Sequence, residues 1–151
     1  FRWYAVGGGP LRESLEGKID QLGLHGVFVL LGEQSNPYPF YAQADLYVQP
    51  SRYEGFGITL TEAKAFGLPV VATDCPTFME QIVDGRNGLL APQNARALAY
   101  AIASLMDDGA LRLSMSRELA LEDYDRLSEI EKLYELIEAA TLAMESQRVS
   151  L

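Results

Sequence analysis

Two glutamates lie eight positions apart in the stretch SRYEGFGITLTEAKAFGLPVV, which runs from Ser51 to Val71. Glu54 precedes Gly55 and Gly57, and Glu62 falls in the first turns of a predicted helix. The N–H groups at a helix start, together with the helix dipole, bind phosphate or another anion. Carboxylates repel anions but accept hydrogen bonds from neighbouring hydroxyls. The stretch therefore favours a site where amides hold a diphosphate, Glu54 a sugar and Glu62 a ribose.

Two other interpretations of these glutamates stay open at this point. Glu62 could be an acid that the helix dipole favours in a first turn, and Glu54 could be a solvated loop residue. The pair could also be the acid and nucleophile of a glycosidase, whose carboxylates must lie about 5 to 10 Å apart. Sequence spacing does not fix that distance, so hydroxyl binding is a hypothesis.

Five short runs rich in aliphatic and aromatic residues predict strands. They are continuous rather than alternating, which is typical of a parallel sheet covered by helices on both faces. Helical patterns lie between them, so the predicted fold class is α/β. The predicted strands are Arg2 to Val6, Val27 to Leu31, Leu46 to Gln49, Pro69 to Thr73 and Gly88 to Ala91.

The predicted helices connect these strands and then fill the C-terminal third of the chain. Pro10 suits the first position of a helix that carries Leu15 and Ile19 at helical spacing and ends at Gly23 or Gly26. No linker or repeat interrupts the sequence, so we expect a single domain over residues 1–151, with a helical tail over residues 95–151. The other predicted helices are Tyr38 to Ala44, Ile58 to Phe66, Phe78 to Val83, Ala95 to Met106, Ala110 to Leu121 and Leu127 to Met144.

Charge and composition exclude several classes of protein. The 151 residues carry a formal net charge of -9 and no Lys/Arg cluster, so nucleic acid is not an expected partner. Cys75 is the only cysteine and no Cys/His spacing suits zinc, so we expect a cytosolic protein without a structural metal. No apolar run approaches the roughly 20 residues that span a bilayer.

The segment YAVGGGPLRESL follows a predicted strand and opens a helix, as a dinucleotide-binding fingerprint does. Gly7 and Gly9 match its first two glycines, and Glu33 follows the second strand, where an acid could bind a ribose. The third glycine position holds Arg12, whose bulk disfavours close packing of the helix on the strand. The sequence thus argues against NAD binding, but Gly7 and Gly9 still lie where ligands of parallel sheets gather.

The segment PSRYEGFGITLTEAKAFGLPVVATD, with its glutamates spaced as E-x7-E, resembles the C-terminal half of retaining GT-B glycosyltransferases of family 4. The likeness extends through VGGGPL, VFVLLG, ADLYVQPS and VDGRNGLLAP. It implies a Rossmann-like fold that binds a nucleotide-diphosphate sugar as donor substrate, with no cofactor and no dedicated metal. An absent N-terminal half would bind the acceptor, which would be a glycan, a lipid or a small molecule.

The resemblance also implies roles for individual residues. Glu54 would contact the donor sugar and is the candidate catalytic residue, while Glu62 would contact the ribose. Backbone amides of the intervening residues would receive the diphosphate. The implied donor-binding residues are Gly55, Phe56, Gly57, Ile58, Thr59, Leu60, Thr61 and Glu62, and those near the base are Gly32, Glu33 and Gln34.

Three departures from the family pattern shape the expectations. The chain begins at Phe1, after the point where relatives carry a central strand and the Arg and Lys that bind the diphosphate, so we expect an excised piece that is inactive alone. The segment Thr73 to Thr77 stands where relatives often have a glycine pair, and Lys64 replaces a usually apolar residue. The full-length enzyme is expected in the cytoplasm, or peripherally on the cytoplasmic face of a membrane.

Two other functions fit parts of the sequence. The scaffold could be a non-catalytic interaction or assembly module, since its acidic surplus lies mainly in the C-terminal helices, which could dock a partner. An NAD-binding oxidoreductase domain is the third hypothesis, which Arg12 disfavours.

Overall fold

A computed structural model describes residues 1–122 of the chain. The predicted helix Leu127 to Met144 and the rest of the tail beyond residue 122 lie outside the described residues. Backbone contacts divide the chain into two compact units, the first comprising Phe1–Asp45 and the second beginning at Leu46. The expectation of one domain over residues 1–151 stays a prediction.

The first unit consists of β1 (Trp3–Val6), α1 (Arg12–Gln21), β2 (Phe28–Gly32) and α2 (Tyr38–Tyr41). β1 pairs with β2 in parallel, and the rings of Trp3 and Phe28 stack with their centroids 5.5 Å apart. Such an aromatic pair adds about 0.5–1.5 kcal/mol to the burial of its surface. The stacked rings therefore help to fix the register of the two strands.

The start of α1 corrects one prediction. Pro10 does not occupy the first helical position, because the Arg12 N–H donates to the Gly9 carbonyl at 3.2 Å and closes a turn that contains Pro10 and Leu11. Proline is favoured inside such a turn for its fixed φ. The predicted helical spacing of Leu15 and its neighbours is correct, but α1 buries none of its own residues.

The second unit is a parallel sheet in the order β3-β4-β5. Each of the five strands that the described residues form lies within one residue of its predicted bounds at either end. The elements of this unit are β3 (Tyr47–Gln49), α3 (Ile58–Ala65), β4 (Val70–Thr73), α4 (Pro76–Gln81), β5 (Gly88–Ala91), α5 (Ala95–Asp107) and α6 (Gly109–Leu119).

β4 is buried on both faces, since successive side chains of a strand point to opposite sides. Val70 and Ala72 pack with Leu60 of α3 and Phe78 of α4, whereas Val71 packs with α5 and α6. Full burial of a valine side chain is worth about 1.5–3 kcal/mol. The second unit is therefore a sheet with helices on both faces, which confirms the predicted α/β fold class.

α4 begins and ends two residues earlier than the predicted helix Phe78 to Val83. Cys75 is its N-cap with an extended backbone, and Pro76 takes the first helical position, where its missing N–H costs nothing. Ile82 is extended again and ends the helix. The thiol of Cys75 is buried in the same core as Phe78.

Gly57 allows α3 to start immediately after the preceding loop. Its φ of 73° and ψ of 43° are left-handed, and a Cβ built on it would lie 3.1 Å from Cε1 of Phe78. A glycine is thus required here both by the backbone angle and by the close approach of an aromatic ring.

We expect Gly57→Ala to lower the free energy of unfolding more than Gly67→Ala does. Gly67 has a similar φ of 71°, but nothing lies within 4 Å of its virtual Cβ. Both variants pay about 1–2 kcal/mol for a left-handed alanine, and only Gly57→Ala adds overpacking against Phe78, worth about 1–3 kcal/mol. Urea unfolding followed by circular dichroism measures the difference, and equal losses would contradict the ring contact.

The buried Gly88 supplies a second test of packing. Its virtual Cβ would lie 2.8 Å from the carbonyl oxygen of Val70, a backbone atom of the central strand that has no room to shift. Gly88→Ala should therefore cost about 1–3 kcal/mol of unfolding free energy. The control is Gly109→Ala, whose virtual Cβ has Nη2 of Arg112 as its nearest atom, at an ordinary contact distance of 3.6 Å. A tolerated Gly88→Ala would refute the close packing of β5 on β4.

Candidate functional site

The β3–α3 loop, residues 50–57, lies at the carboxyl end of the sheet of the second unit. Ligands of open parallel sheets bind at this edge. The hydroxyl of Thr73, the last residue of β4, donates to the carbonyl of Ser51 and ties the loop to the central strand. The loop is therefore anchored at a position where the fold exposes binding groups.

The carboxylate of Glu54 is half-buried and loosely held within this loop. Its Oε2 accepts from Nε2 of Gln49 at 3.5 Å and from Oγ of Ser51 at 3.4 Å, both longer than usual hydrogen bonds. Its Oε1 accepts from the adjacent Gly55 N–H at 3.2 Å. Because an ionised carboxylate offers about four acceptor sites, this arrangement leaves Glu54 the capacity to accept further hydroxyls.

The first turn of α3 follows directly. Ile58, Thr59 and Leu60 begin the helix, and the first N–H groups of a helix point out of its N-terminal end. The Thr61 N–H donates to the Gly57 carbonyl at 3.1 Å, so its amide closes the first helical hydrogen bond. The amides that can face an anion are therefore those that precede Thr61.

Glu62 lies four residues after Ile58 and therefore on the same face of α3. Ile58 is exposed, whereas the glutamate is half-buried. The second unit thus brings the predicted residues from Glu54 to Glu62 together as one loop and one helix start, with one carboxylate before the first turn of α3 and one just after it.

Two residues of α4 contact the loop: Thr77, which ends the segment that stands in place of a glycine pair, and Gln81, for which the sequence predicted no role. Oγ1 of Thr77 donates to the carbonyl of Glu54 at 2.7 Å, and Nε2 of Gln81 donates to the carbonyl of Phe56 at 2.7 Å. Oε1 of Gln81 accepts from the Thr61 hydroxyl at 3.2 Å. Their spacing of four residues, just after the end of a strand, is the signal that places both on one helix face near the site.

The contacts of Lys64 explain why a lysine can stand where relatives usually have an apolar residue. Its ammonium group is buried, lies 2.7 Å from Oε2 of Glu122 and donates to the carbonyl of Gln81 at 2.7 Å. Oε1 of Glu122 accepts from Nδ2 of Asn87 at 2.5 Å. A buried charge is costly unless it is paired and hydrogen-bonded, and this group satisfies both conditions.

The first unit brings its two predicted loops together. Gly7 and Gly9 adopt positive φ values of 124° and 156°, and the Gly7 N–H donates to the Gly32 carbonyl at 2.8 Å. A Cβ built on Gly8 would lie 2.9 Å from Oε1 of Glu33. The glycine-rich turn after β1 and the loop after β2 are therefore immediate neighbours.

Two side chains bind carbonyl groups near the end of β2. Nε2 of Gln34 donates to Leu31 at 3.0 Å, and Nη2 of Arg12 contacts the Leu30 carbonyl at 3.5 Å. Arg12 also forms an ion pair with Glu16 at 2.9 Å. The position where a dinucleotide fingerprint has its third glycine is thus filled by a guanidinium that reaches the neighbouring strand.

Residues 1–122 contain no group of three or more His, Cys, Asp or Glu side chains arranged to hold a metal ion. Over this described part of the chain, no helix combines the length and the hydrophobicity that a membrane span requires.

Residues 2–120 match the family described as glycosyl transferases group 1. The lipopolysaccharide core biosynthesis mannosyltransferase LpsB of Rhizobium meliloti is 40% identical over 98 residues, which cover 63% of this chain and 28% of LpsB. The chain therefore spans less than a third of the length of this curated relative.

Solved structures show the same fold. HepE of Anabaena, in a crystal structure in complex with UDP, matches with a TM-score of 0.83 and 25% identity over 91% of this chain and 41% of HepE. Sucrose-phosphate synthase of Thermosynechococcus elongatus matches with a TM-score of 0.77 and 29% identity over 91% of this chain and 38% of the synthase. Because the family match covers most of its length and agrees with its fold, the chain belongs to the family of glycosyl transferases group 1.

Proposed function

We propose that this chain is the donor-binding part of a retaining GT-B transferase of family 4. The whole enzyme would move a hexose from a nucleotide-diphosphate sugar to a glycan, a lipid or a small acceptor. The observation that carries the proposal is the arrangement of Glu54, the N-terminus of α3 and Glu62 at the carboxyl edge of the sheet. The UDP complex of HepE, a protein with the same fold, supports a nucleotide ligand.

The N-terminal turn of α3 would hold the diphosphate. In the transfer, the bond between the anomeric carbon and the diphosphate oxygen breaks, and the oxygen of an acceptor hydroxyl bonds to that carbon and releases its proton. Negative charge then grows on the leaving nucleoside diphosphate, and fixed amides at a helix N-terminus stabilise it without rearrangement. The residues proposed to supply them run from Gly55 to Thr61, with those before Thr61 the better placed.

The two carboxylates would hold hydroxyl groups on either side of the diphosphate. Glu54 is the proposed catalytic residue, since its long contacts with Gln49 and Ser51 can be exchanged for bonds from the hydroxyls of the donor sugar. Glu62 is proposed to accept from the ribose. Each role uses the acceptor-only chemistry of an ionised carboxylate.

Further parts of the proposal concern residues outside the second unit. Gly32, Glu33 and Gln34 are proposed to lie near the base, and Gly7 and Gly9 to line a crevice. The acceptor would bind a preceding half of the enzyme, so this chain alone would be inactive. No cofactor and no metal are proposed, and the whole enzyme is proposed to work in the cytoplasm or peripherally on the cytoplasmic face of a membrane.

Glu62→Ala should weaken binding of a nucleoside diphosphate by about 1–3 kcal/mol, because it removes hydrogen bonds from the ribose to a charged acceptor. Calorimetric titration of the 151-residue chain with UDP, GDP and ADP measures the effect. Asp107→Ala, which removes an exposed acid at the end of α5, is the matched control and should leave affinity unchanged. Absence of heat with all three nucleotides at millimolar concentration would count against donor binding.

Glu54→Gln should separate the sugar from the nucleotide. We expect this variant to bind UDP, GDP or ADP as the unaltered chain does, but to lose about tenfold in affinity for the corresponding UDP-glucose, GDP-mannose or ADP-glucose. The physical reason is that the substitution turns one acceptor oxygen of the carboxylate into an NH2 donor. In the proposed site, this oxygen bonds to hydroxyls of the sugar and not to the nucleotide. Equal weakening of the nucleotide and the nucleotide sugar would place Glu54 elsewhere in the site.

A further inference from the structure

We infer that Thr77 and Gln81 of α4 are positioning residues, which orient the peptide groups of the β3–α3 loop so that its amides face a nucleoside diphosphate. The inference rests on the proposed function and adds two side chains to it. Neither would touch the ligand, since both act through the loop backbone.

The carbonyl groups of three consecutive loop residues lie against these two side chains, and two of them accept a short hydrogen bond. Oγ1 of Thr77 donates to Glu54 at 2.7 Å and lies 3.4 Å from the carbonyl oxygen of Gly55. Nε2 of Gln81 donates to Phe56 at 2.7 Å. The hydrogen bonds to Glu54 and Phe56 are short, so the carbonyl groups of the loop are held facing α4.

The orientation of the carbonyls determines the orientation of the amides. A peptide group is planar and trans, so the N–H of each following residue points opposite to the preceding C=O. The N–H groups of Gly55, Phe56 and Gly57 are therefore turned away from α4, and that of Gly55 donates to Oε1 of Glu54 at 3.2 Å. Two of these three residues are glycines, whose backbone would otherwise sample many orientations, so the contacts with α4 add a constraint that these residues lack on their own.

Gln81 is itself held by hydrogen bonds at its backbone carbonyl and at its side-chain amide. Its carbonyl accepts from the buried ammonium of Lys64, which is paired with Glu122, and its Oε1 accepts from the hydroxyl of Thr61. The side chain thus links the loop carbonyl of Phe56 with the first turn of α3. The loop and the helix start are held in one arrangement by a single amide group.

The rest of α4 provides a rigid base for these contacts. Phe78, between the two positioning residues, is fully buried and packs against Leu60 of α3 and Val70 of β4. Thr77 and Gln81 are four residues apart and share one helix face. Because the helix cannot shift without opening the core, the positions of both side chains are set by packing.

The first test compares Thr77→Val, which removes the hydroxyl at nearly constant shape, with Thr77→Ser, which keeps it. Dissociation constants are measured by calorimetry for the nucleoside diphosphate that the unaltered chain binds best among UDP, GDP and ADP, and for its monophosphate. Thr77→Val should weaken diphosphate binding about five- to tenfold and monophosphate binding much less. Thr77→Ser should restore the original ratio of the two constants.

Gln81 is tested in parallel by Gln81→Met and Gln81→Glu. Methionine removes both hydrogen bonds, whereas glutamate keeps the acceptor for Thr61 and loses the donor to Phe56. Both variants should weaken diphosphate more than monophosphate binding. Ser104→Ala is the structural control, because it deletes a hydroxyl bond of 2.8 Å to the Ala101 carbonyl in α5 and should leave the ratio unchanged. Thermal melting checks folding, and if Gln81→Met does not fold, the Thr77 pair decides.

A ligand-free measurement separates this inference from the proposed function. In an amide proton–nitrogen correlation spectrum, the Gly55 and Gly57 signals should move in Thr77→Val and return in Thr77→Ser. Unmoved signals, or an unchanged ratio of dissociation constants, would overturn the positioning role. If no nucleotide binds the unaltered chain while the signals still move as expected, the proposed function fails and the control of loop geometry by α4 stands.

Discussion

Burial of β4 on both of its faces is the constraint on which the second unit depends. Val70 and Ala72 fill one core and Val71 fills the other, and all three are fully buried. One core fixes α3 and α4 together on one side of the sheet, with Leu60 and Phe78 as their anchors. The candidate site is built from the ends of these two helices, so its geometry follows from the packing of one strand.

Polar groups then fix the orientation of loop peptide groups, which the apolar core alone does not determine. Hydrophobic contact is non-directional and does not decide which way a peptide group turns. Hydrogen bonds from α4 to the loop carbonyls do decide it, and the buried pair of Lys64 and Glu122 connects the same network to the end of α6. The family match and the packing thus account for the scaffold, while a few directional contacts determine the geometry of the β3–α3 loop.

Much of the fold could be predicted from the sequence because its signals are local. The continuous apolar runs around Val70 and Gly88 gave strand bounds within a residue, and the E-x7-E spacing located the loop and helix start. The start of α4 was misjudged, since the apolar pattern around Phe78 outweighed the capping arrangement of Cys75 and Pro76.

The contacts around the loop could not be predicted in the same way. The bond from Thr77 to Glu54 joins residues 23 positions apart, and that from Gln81 to Phe56 joins residues 25 apart. Local periodicity carries no information on such pairs. The role of Lys64 was hidden for the same reason, because its partner Glu122 lies beyond five intervening elements of secondary structure.

The buried thiol of Cys75 has a practical consequence for the study of this protein. It is the only cysteine in the chain, it is 1% exposed, and it lies at the start of α4 within the core that supports the loop. A thiol reagent can reach it only when that core opens. The rate of labelling under native conditions therefore reports local opening beneath the β3–α3 loop, without denaturant. Protection of the thiol by an added nucleotide would measure, from inside the core, how far ligand binding stabilises the scaffold.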